Sequence, residues 1–308
     1  MVEQRVPLSP PEPPGRRPRP SRSQVAARRA IALVLLAGGL GLAVWLVTLA
    51  AGGDDGKKAA PTTPVAPPTL KIIFPEGFTR AEMAERIRAV NQIAREKRKI
   101  NPRLSSSAYL EATASSLTPG KFARDGKRRP LEGFLFPATY EFEPRTTSRQ
   151  LVSRQVASFR INWSKVNLRY AKSKNLTPYD VLIIASMIEK EVAAPEERSL
   201  VSAVIYNRLH DGMPLGIDAT IRYGLGVPPT ESLKQSQLHS SNPYNTGNGM
   251  TGLPPTPIAN PGLASLQAAA HPAKVDYLYF VRKPDKIHHF FTASEREFNN
   301  YANAHGYG

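Results

Sequence analysis

The longest unbroken apolar stretch in the chain is Ile31 to Ala51, and no Asp, Glu, Lys or Arg interrupts the sequence from Ala30 to Gly53. A helix of about 20 apolar residues crosses a bilayer core and satisfies its own backbone groups. The stretch therefore predicts a transmembrane helix over 31–51, with Trp45 toward one end as interfacial aromatics are placed. Arg16, Arg17, Arg19, Arg22, Arg28 and Arg29 precede it, and Asp54 and Asp55 follow. Positive residues stay inside, so the N-terminus is expected in the cytoplasm and everything from Leu70 outside the cell membrane. A cleaved signal peptide is the alternative, but its apolar core is shorter, about 7–15 residues. Residues 1–30 read as a disordered basic cytoplasmic tail, and 52–69 as a Pro/Gly-rich linker.

Beyond the linker the pattern alternates between short strands and amphipathic helices. Leu70 to Phe74 has β character, Pro75-Glu76-Gly77 reads as a turn, and Thr79 with Glu82 forms a capping box. Met83, Ile87 and Val90 mark the apolar face of the helix that follows. Leu131 to Phe142 is dense in aromatics. It reads as a buried loop and strand, with glycan stacking by Phe134, Phe136 or Tyr140 as the alternative. Thr177, Pro178 and Asp180 start a helix over TPYDVLIIASMIEKEVA. A second helix begins near Pro195, presents Leu200, Val201, Val204, Ile205 and Leu209, and ends at Asp211-Gly212. A third is expected to start at Pro261, with Asn260 as its N-cap. A hairpin joins Tyr277–Val281 to His288–Thr292, and Ser294 with Glu297 caps a last helix. The region outside the membrane is thus an α+β ectodomain, divided here into an accessory module (70–145) and a catalytic domain (146–308).

Composition narrows the chemistry. The chain has no cysteine, which excludes disulfides, thiolate metal sites and cysteine nucleophiles. A net charge of +16 fits nucleic acid, anionic lipid or wall polymer, or a basic composition with no special partner. Aromatic residues do not interleave with the basic ones as base stacking requires, and the outward topology opposes a nucleic-acid partner.

One carboxylate stands out. At about 100° per residue, Glu189 lies over Leu182 with Ala185 and Ser186 to either side, on a largely apolar face. Glu191 points to the opposite side and is expected outward. Burial raises a carboxyl pKa, which suits a general acid for glycosidic cleavage. The alternative is a structural Glu paired with Arg208 or Arg222. Glycoside hydrolysis ordinarily takes two carboxylates. Asp218 is either the second or the N-cap of a short helix ending near Gly224. One carboxylate suffices if the substrate supplies its own nucleophile.

Several stretches together resemble the YceG-like family of endolytic murein transglycosylases. They are LEGFLFPATYEF, ASMIEKEV, VIYNRL, IDATIRYG, TGLPPTPIANPGLASLQAAAHPAKVDYLYFV and HHFFTASEREFN, in the family's order. The upstream FPEGFTRAEMAERI is similar to the family's LysM-like module. The resemblance implies a LysM-like module plus a YceG-like catalytic domain behind one transmembrane helix. It implies cleavage of the β-1,4 bond between N-acetylmuramic acid and N-acetylglucosamine in nascent peptidoglycan strands, ending glycan elongation. The muramyl C6 hydroxyl would attack C1 to leave a 1,6-anhydro end. Glu189 would be the catalytic acid and base. Asp218, Tyr223, Tyr244, Asn245, Thr246, His289 and Glu297 would contact substrate. The implied partners are glycan strands, the membrane and peptidoglycan synthases, with no cofactor and no metal. The sequence departs from the family pattern at Gly216 and Gly247. A non-catalytic, anchored peptidoglycan-binding scaffold is the rival reading.

Overall fold

Strand β1 (Leu70–Ile73) buries Leu70 and Ile72 and exposes Lys71 and Ile73, the alternation of a strand with one face on a core. Its partner is β4 (Thr139–Phe142), antiparallel, with Leu70 opposite Phe142 and Ile73 opposite Thr139. The computed structural model describes residues 68–117, 122 and 127–307, all within one unit, Ala66–Gly308. The predicted tail and membrane helix lie outside the described residues. Among the described residues no helix is long and apolar enough to cross a membrane.

Between β1 and β4 come α1 (Arg80–Arg98), α2 (Ser106–Ala114) and the short antiparallel pair β2 (Ser116–Leu117) and β3 (Arg128–Arg129). The predicted box starts α1: the Thr79 hydroxyl accepts from the Glu82 N–H, and the Glu82 carboxylate accepts from the Thr79 N–H at 2.6 Å. The helices α3 (Ser148–Trp163), α4 (Arg169–Ser173) and α5 (Pro178–Glu191) follow. Thr177 and Asp180 form the reciprocal box at the head of α5, with Pro178 in its first turn. A 3₁₀ turn, Pro195–Glu197, leads into α6 (Arg198–His210). Then come α7 (Asp218–Leu225), α8 (Gln235–Leu238) and α9 (Leu263–Ala270). The predicted hairpin is β5 (Tyr279–Arg282) with β6 (His289–Thr292), and α10 (Glu295–Ala304) closes the chain.

The core centres on α5, where every residue from Val181 to Ile188 is buried. A helix apolar on all sides has no solvent face and must be enclosed by its neighbours; here α6 and α9 pack on it. Phe134, Phe159, Phe122 and Trp163 form an aromatic cluster with centroids 4.8 to 5.9 Å apart. Phe134 is fully buried and Tyr140 is 9% exposed, so both belong to the core and not to a glycan surface. One hydrophobic core runs from Leu70 to Ala270, through both the 70–145 and 146–308 segments.

Two local readings are corrected. Asn260 does not cap α9; Gly262 does. Asn260 is instead fully buried, and its side chain joins three segments. Its Oδ1 accepts the Leu135 N–H at 2.9 Å, and its Nδ2 donates to the Phe78 carbonyl at 2.8 Å and to Glu132 Oε1 at 2.7 Å. The Ser294–Glu297 box is half formed: Ser294 caps α10, but the Glu297 carboxylate accepts from the Thr292 hydroxyl.

Asn260→Ala would orphan the buried Leu135 N–H and take one donor each from the Phe78 carbonyl, which keeps the backbone N–H of residue 260, and from Glu132, which keeps Arg80 and Tyr223. An orphaned buried amide costs about 1–3 kcal/mol. The variant is expected to lose about 2–4 kcal/mol, read as a lowered urea midpoint with an unchanged m-value.

Candidate active site

The C-terminal end of α5 opens onto a cleft of about 990 Å³. Its walls come from the last residues of α5 (Lys190, Glu191), from α7 (Asp218, Arg222, Tyr223) and from the hairpin (Phe280, Arg282, His289). Thr79 and Glu82, at the start of α1, complete one edge.

The two glutamates of the Glu-Lys-Glu triplet do face opposite ways, but neither faces open solvent. Glu191 is partly buried and lines the cleft. Its expected outward position is therefore corrected: α7 and the hairpin cover that side of α5. Burial is the main cause that pushes its carboxyl up, to about 7, and the nearby Asp218 charge adds to it. Arg282, the Ala219 N–H and Arg222 pull the other way.

Glu189 is not among the cleft-lining residues. Its Oε2 accepts the N–H of Gly262, the N-cap of α9, at 3.0 Å. A carboxylate there satisfies an orphan amide and complements the helix dipole. The alternative pairing with Arg208 or Arg222 is not formed. The Arg208 guanidinium donates to the carbonyls of Pro214, Leu215 and Leu278, and that of Arg222 to those of Pro228 and Glu231. Beside Glu189 lies Glu76, whose carboxyl is raised by burial first and by the Glu189 charge second, against Arg198. A Cβ on Gly262 would meet the end of the Glu76 side chain, which would have to swing aside.

The other predicted contacts divide. Asp218, Tyr223 and His289 line the cleft. Asp218 is the first residue of α7 and not its cap; the N-cap is Ile217, and the helix ends at Gly226 with φ +65°. Tyr244 stacks at a tilt on Tyr223, 5.2 Å between centroids, and its hydroxyl bonds Thr256 at 2.7 Å. Asn245, Thr246 and Glu297 are not brought to the cleft wall. Asn245 is buried and donates to the carbonyls of Leu238 and Ser240, which pins its own loop. Thr246 is buried and accepts the Ile217 N–H. Glu297 is exposed on α10, and its carboxylate accepts from the Thr292 hydroxyl.

A buried carboxylate behind the cleft escaped the sequence reading. Glu132 is 2% exposed and accepts from the Tyr223 hydroxyl (3.1 Å), from Asn260 Nδ2 and from the Arg80 N–H (3.0 Å). Burial pushes its carboxyl up to about 7, opposed by those donors and by the Arg80 charge. Its signal was an acid embedded in the apolar stretch LEGFLF. The signal for Glu191 was the apolar character of α5 all around. Among the described residues no cluster of three or more His, Asp or Glu is placed to hold a metal ion.

The family model described as YceG-like matches residues 55–304, and the chain belongs to that family. A Bacillus subtilis protein named endolytic murein transglycosylase is 38% identical over 156 residues, 51% of this chain and 43% of that protein. A Streptococcus pneumoniae protein of the same name is 33% identical over 244 residues, 73% of this chain and 42% of that protein. The chain thus spans less than half the length of these curated relatives. The crystal structure of a yceG-like protein from Listeria monocytogenes matches with a TM-score of 0.59 and 29% identity, over 80% of this chain and 78% of that one.

Glu132 and Glu191 give a pH signature. Each holds its proton to about pH 7 when folded, against an ordinary value of 4.5. Between those values the folded state binds more protons than the unfolded state, so stability falls as pH rises from about 4.5 to about 7. Glu132→Gln and Glu191→Gln should each flatten that slope by up to one proton. Urea midpoints measured across the window check this; slopes as steep as wild type would show both groups already ionised at its acid end.

Proposed function

We propose that this protein is an endolytic peptidoglycan lytic transglycosylase with Glu191 as its acid and base. The supporting observation is a partly buried carboxyl, held up to about 7, in the wall of a large cleft. A group so placed carries a proton near neutrality and releases it within the working range. The names of the curated relatives agree with this reaction class.

In the proposed reaction Glu191 protonates the oxygen leaving C1 of an N-acetylmuramyl residue as the bond to N-acetylglucosamine breaks. The muramyl C6 oxygen bonds to C1, and its proton passes to the Glu191 carboxylate. Acid is regenerated, no water is consumed, and the strand is left with a 1,6-anhydro end. Asp218 favours the protonated form of Glu191 by its charge and adds negative potential toward the positive charge developing at C1. Arg282 and Arg222 work against that protonation and stop it from extending far above neutrality. Glu189 holds the start of α9 and thereby the loop beside the cleft. The 31–51 segment anchors the enzyme, with its catalytic part outside the membrane, near nascent strands and the synthases that extend them. Cleavage there would end elongation.

Uncrosslinked glycan strands digested by wild type should give internal fragments with anhydromuramyl ends by mass spectrometry. Glu191→Gln should lose at least about a hundredfold in rate, the scale of a general acid. Glu189→Gln should keep the rate within about tenfold and lower the unfolding midpoint. An inactive Glu189→Gln beside an active Glu191→Gln would return the acid to Glu189. Reducing ends, heavier by one water, would make the enzyme a hydrolase. A folded wild type that binds strands without cutting them would be a scaffold.

A further inference from the structure

Glu197 closes the 3₁₀ turn that leads into α6, and it is buried to 6% exposure. Its two oxygens grip one residue of the hairpin. Oε1 accepts the backbone N–H of His289 at 2.9 Å, and Oε2 lies 2.7 Å from His289 Nδ1. Both side chains are almost wholly enclosed, at 8% and 2% exposure. The backbone bond sets where the strand sits. The ring bond does something different: it fixes which imidazole nitrogen carries the hydrogen.

The ring stands at the cleft. His289 is opposite Arg282 in the hairpin register, and opposed residues share a face of the ribbon. Arg282, His289 and Phe280 all line the cleft, with the Phe280 ring edge-on to the imidazole at 5.4 Å. The second ring nitrogen, Nε2, has no hydrogen-bond partner among the described residues.

We propose that Glu197 is a positioning residue that holds the Nδ1–H of His289, so that Nε2 is presented to the cleft as an acceptor for a hydroxyl of the bound sugar. The inference rests on the glycan reading above and assigns it a second polar contact besides Glu191. No bond is made or broken at His289; it orients a hydroxyl.

Glutamine at 197 reverses the logic. Its Oε1 still takes the His289 N–H, while its amide NH₂ faces Nδ1 and requires that nitrogen bare. The hydrogen then moves to Nε2, and the cleft is offered a donor in place of an acceptor. Nitrogen-15 spectra of histidine-labelled protein at pH 8 read this directly, with the His289 signals identified by their loss in His289→Asn. Wild type should show a pyrrole-type Nδ1 and a pyridine-type Nε2, and Glu197→Gln the reverse. On glycan strands kcat should fall at least about tenfold with KM within about threefold, the scale of losing a partner that orients a histidine. His289→Asn is the second variant. Its amide nitrogen reproduces the Nδ1–H bond to Glu197 but supplies nothing in place of Nε2. It should keep the wild-type unfolding midpoint and show the same loss of kcat. An unreversed tautomer in Glu197→Gln, or His289→Asn with wild-type kcat, would overturn the proposal. If wild type cuts no glycan, the functional reading fails, and the tautomer spectra still decide whether Glu197 sets the ring.

Discussion

The structure turns on a buried hydrogen-bond node between Asn260 and Glu132. Through it the entry of α1, the Leu131–Leu135 loop and the loop before α9 are held in one arrangement, with Tyr223 attached from the cleft side. Its partners lie 52 to 182 residues apart in the chain, so no local propensity sets their geometry. Both carboxylate oxygens of Glu132 and both ends of the Asn260 amide are engaged. A satisfied buried network is rigid, whereas a half-satisfied one is costlier than an apolar core. Gly133 is part of the same constraint: its φ is +86°, and a Cβ there would come within 2.8 Å of the Pro257 ring. The cleft wall is therefore fixed from behind before any side chain reaches into it.

The Glu-Lys-Glu triplet illustrates how one helix end serves two purposes. Glu189 is directed to the start of α9 and works as a fastening. Glu191, on the other side, lines the cleft and is partly buried there. The same helix end thus anchors the loop and carries the group that the loop helps to enclose. Lys190 between them donates to the Gly77 carbonyl at 3.3 Å, tying in the turn after β1.

Local signals in the sequence translated well. The Thr79 and Thr177 boxes, the positive φ at Gly77 and the β5–β6 hairpin all rest on neighbours within about a dozen residues, and the apolar faces of α1 and α6 follow from helical spacing. What failed was reading a polar residue for a local role when a distant partner had claimed it. Asn260 has the composition of a helix cap but serves three remote groups. Asp218 is likewise cap-like and instead lies in the first turn of α7, facing the cleft. Helical periodicity correctly separated Glu189 from Glu191. It did not show that Glu191 lines the cleft, because periodicity says what lies on one face and not what covers the other. Asn245 and Thr246 sit in a stretch that resembles cleft-lining family sequence, yet their side chains are spent on holding a loop.

The Gly77 N–H donates to the Asn260 carbonyl, and the Phe78 carbonyl receives the Asn260 amide. Most of the described chain must therefore leave the ribosome before its first turn finds its partner. Such long-range closure is slow compared with helix formation, and it leaves apolar surface waiting. A shortened chain that ended before this point would lack both the partner of that turn and the hairpin that walls the cleft. A finished cleft is thus tied to the completeness of synthesis: a partly made copy lacks it.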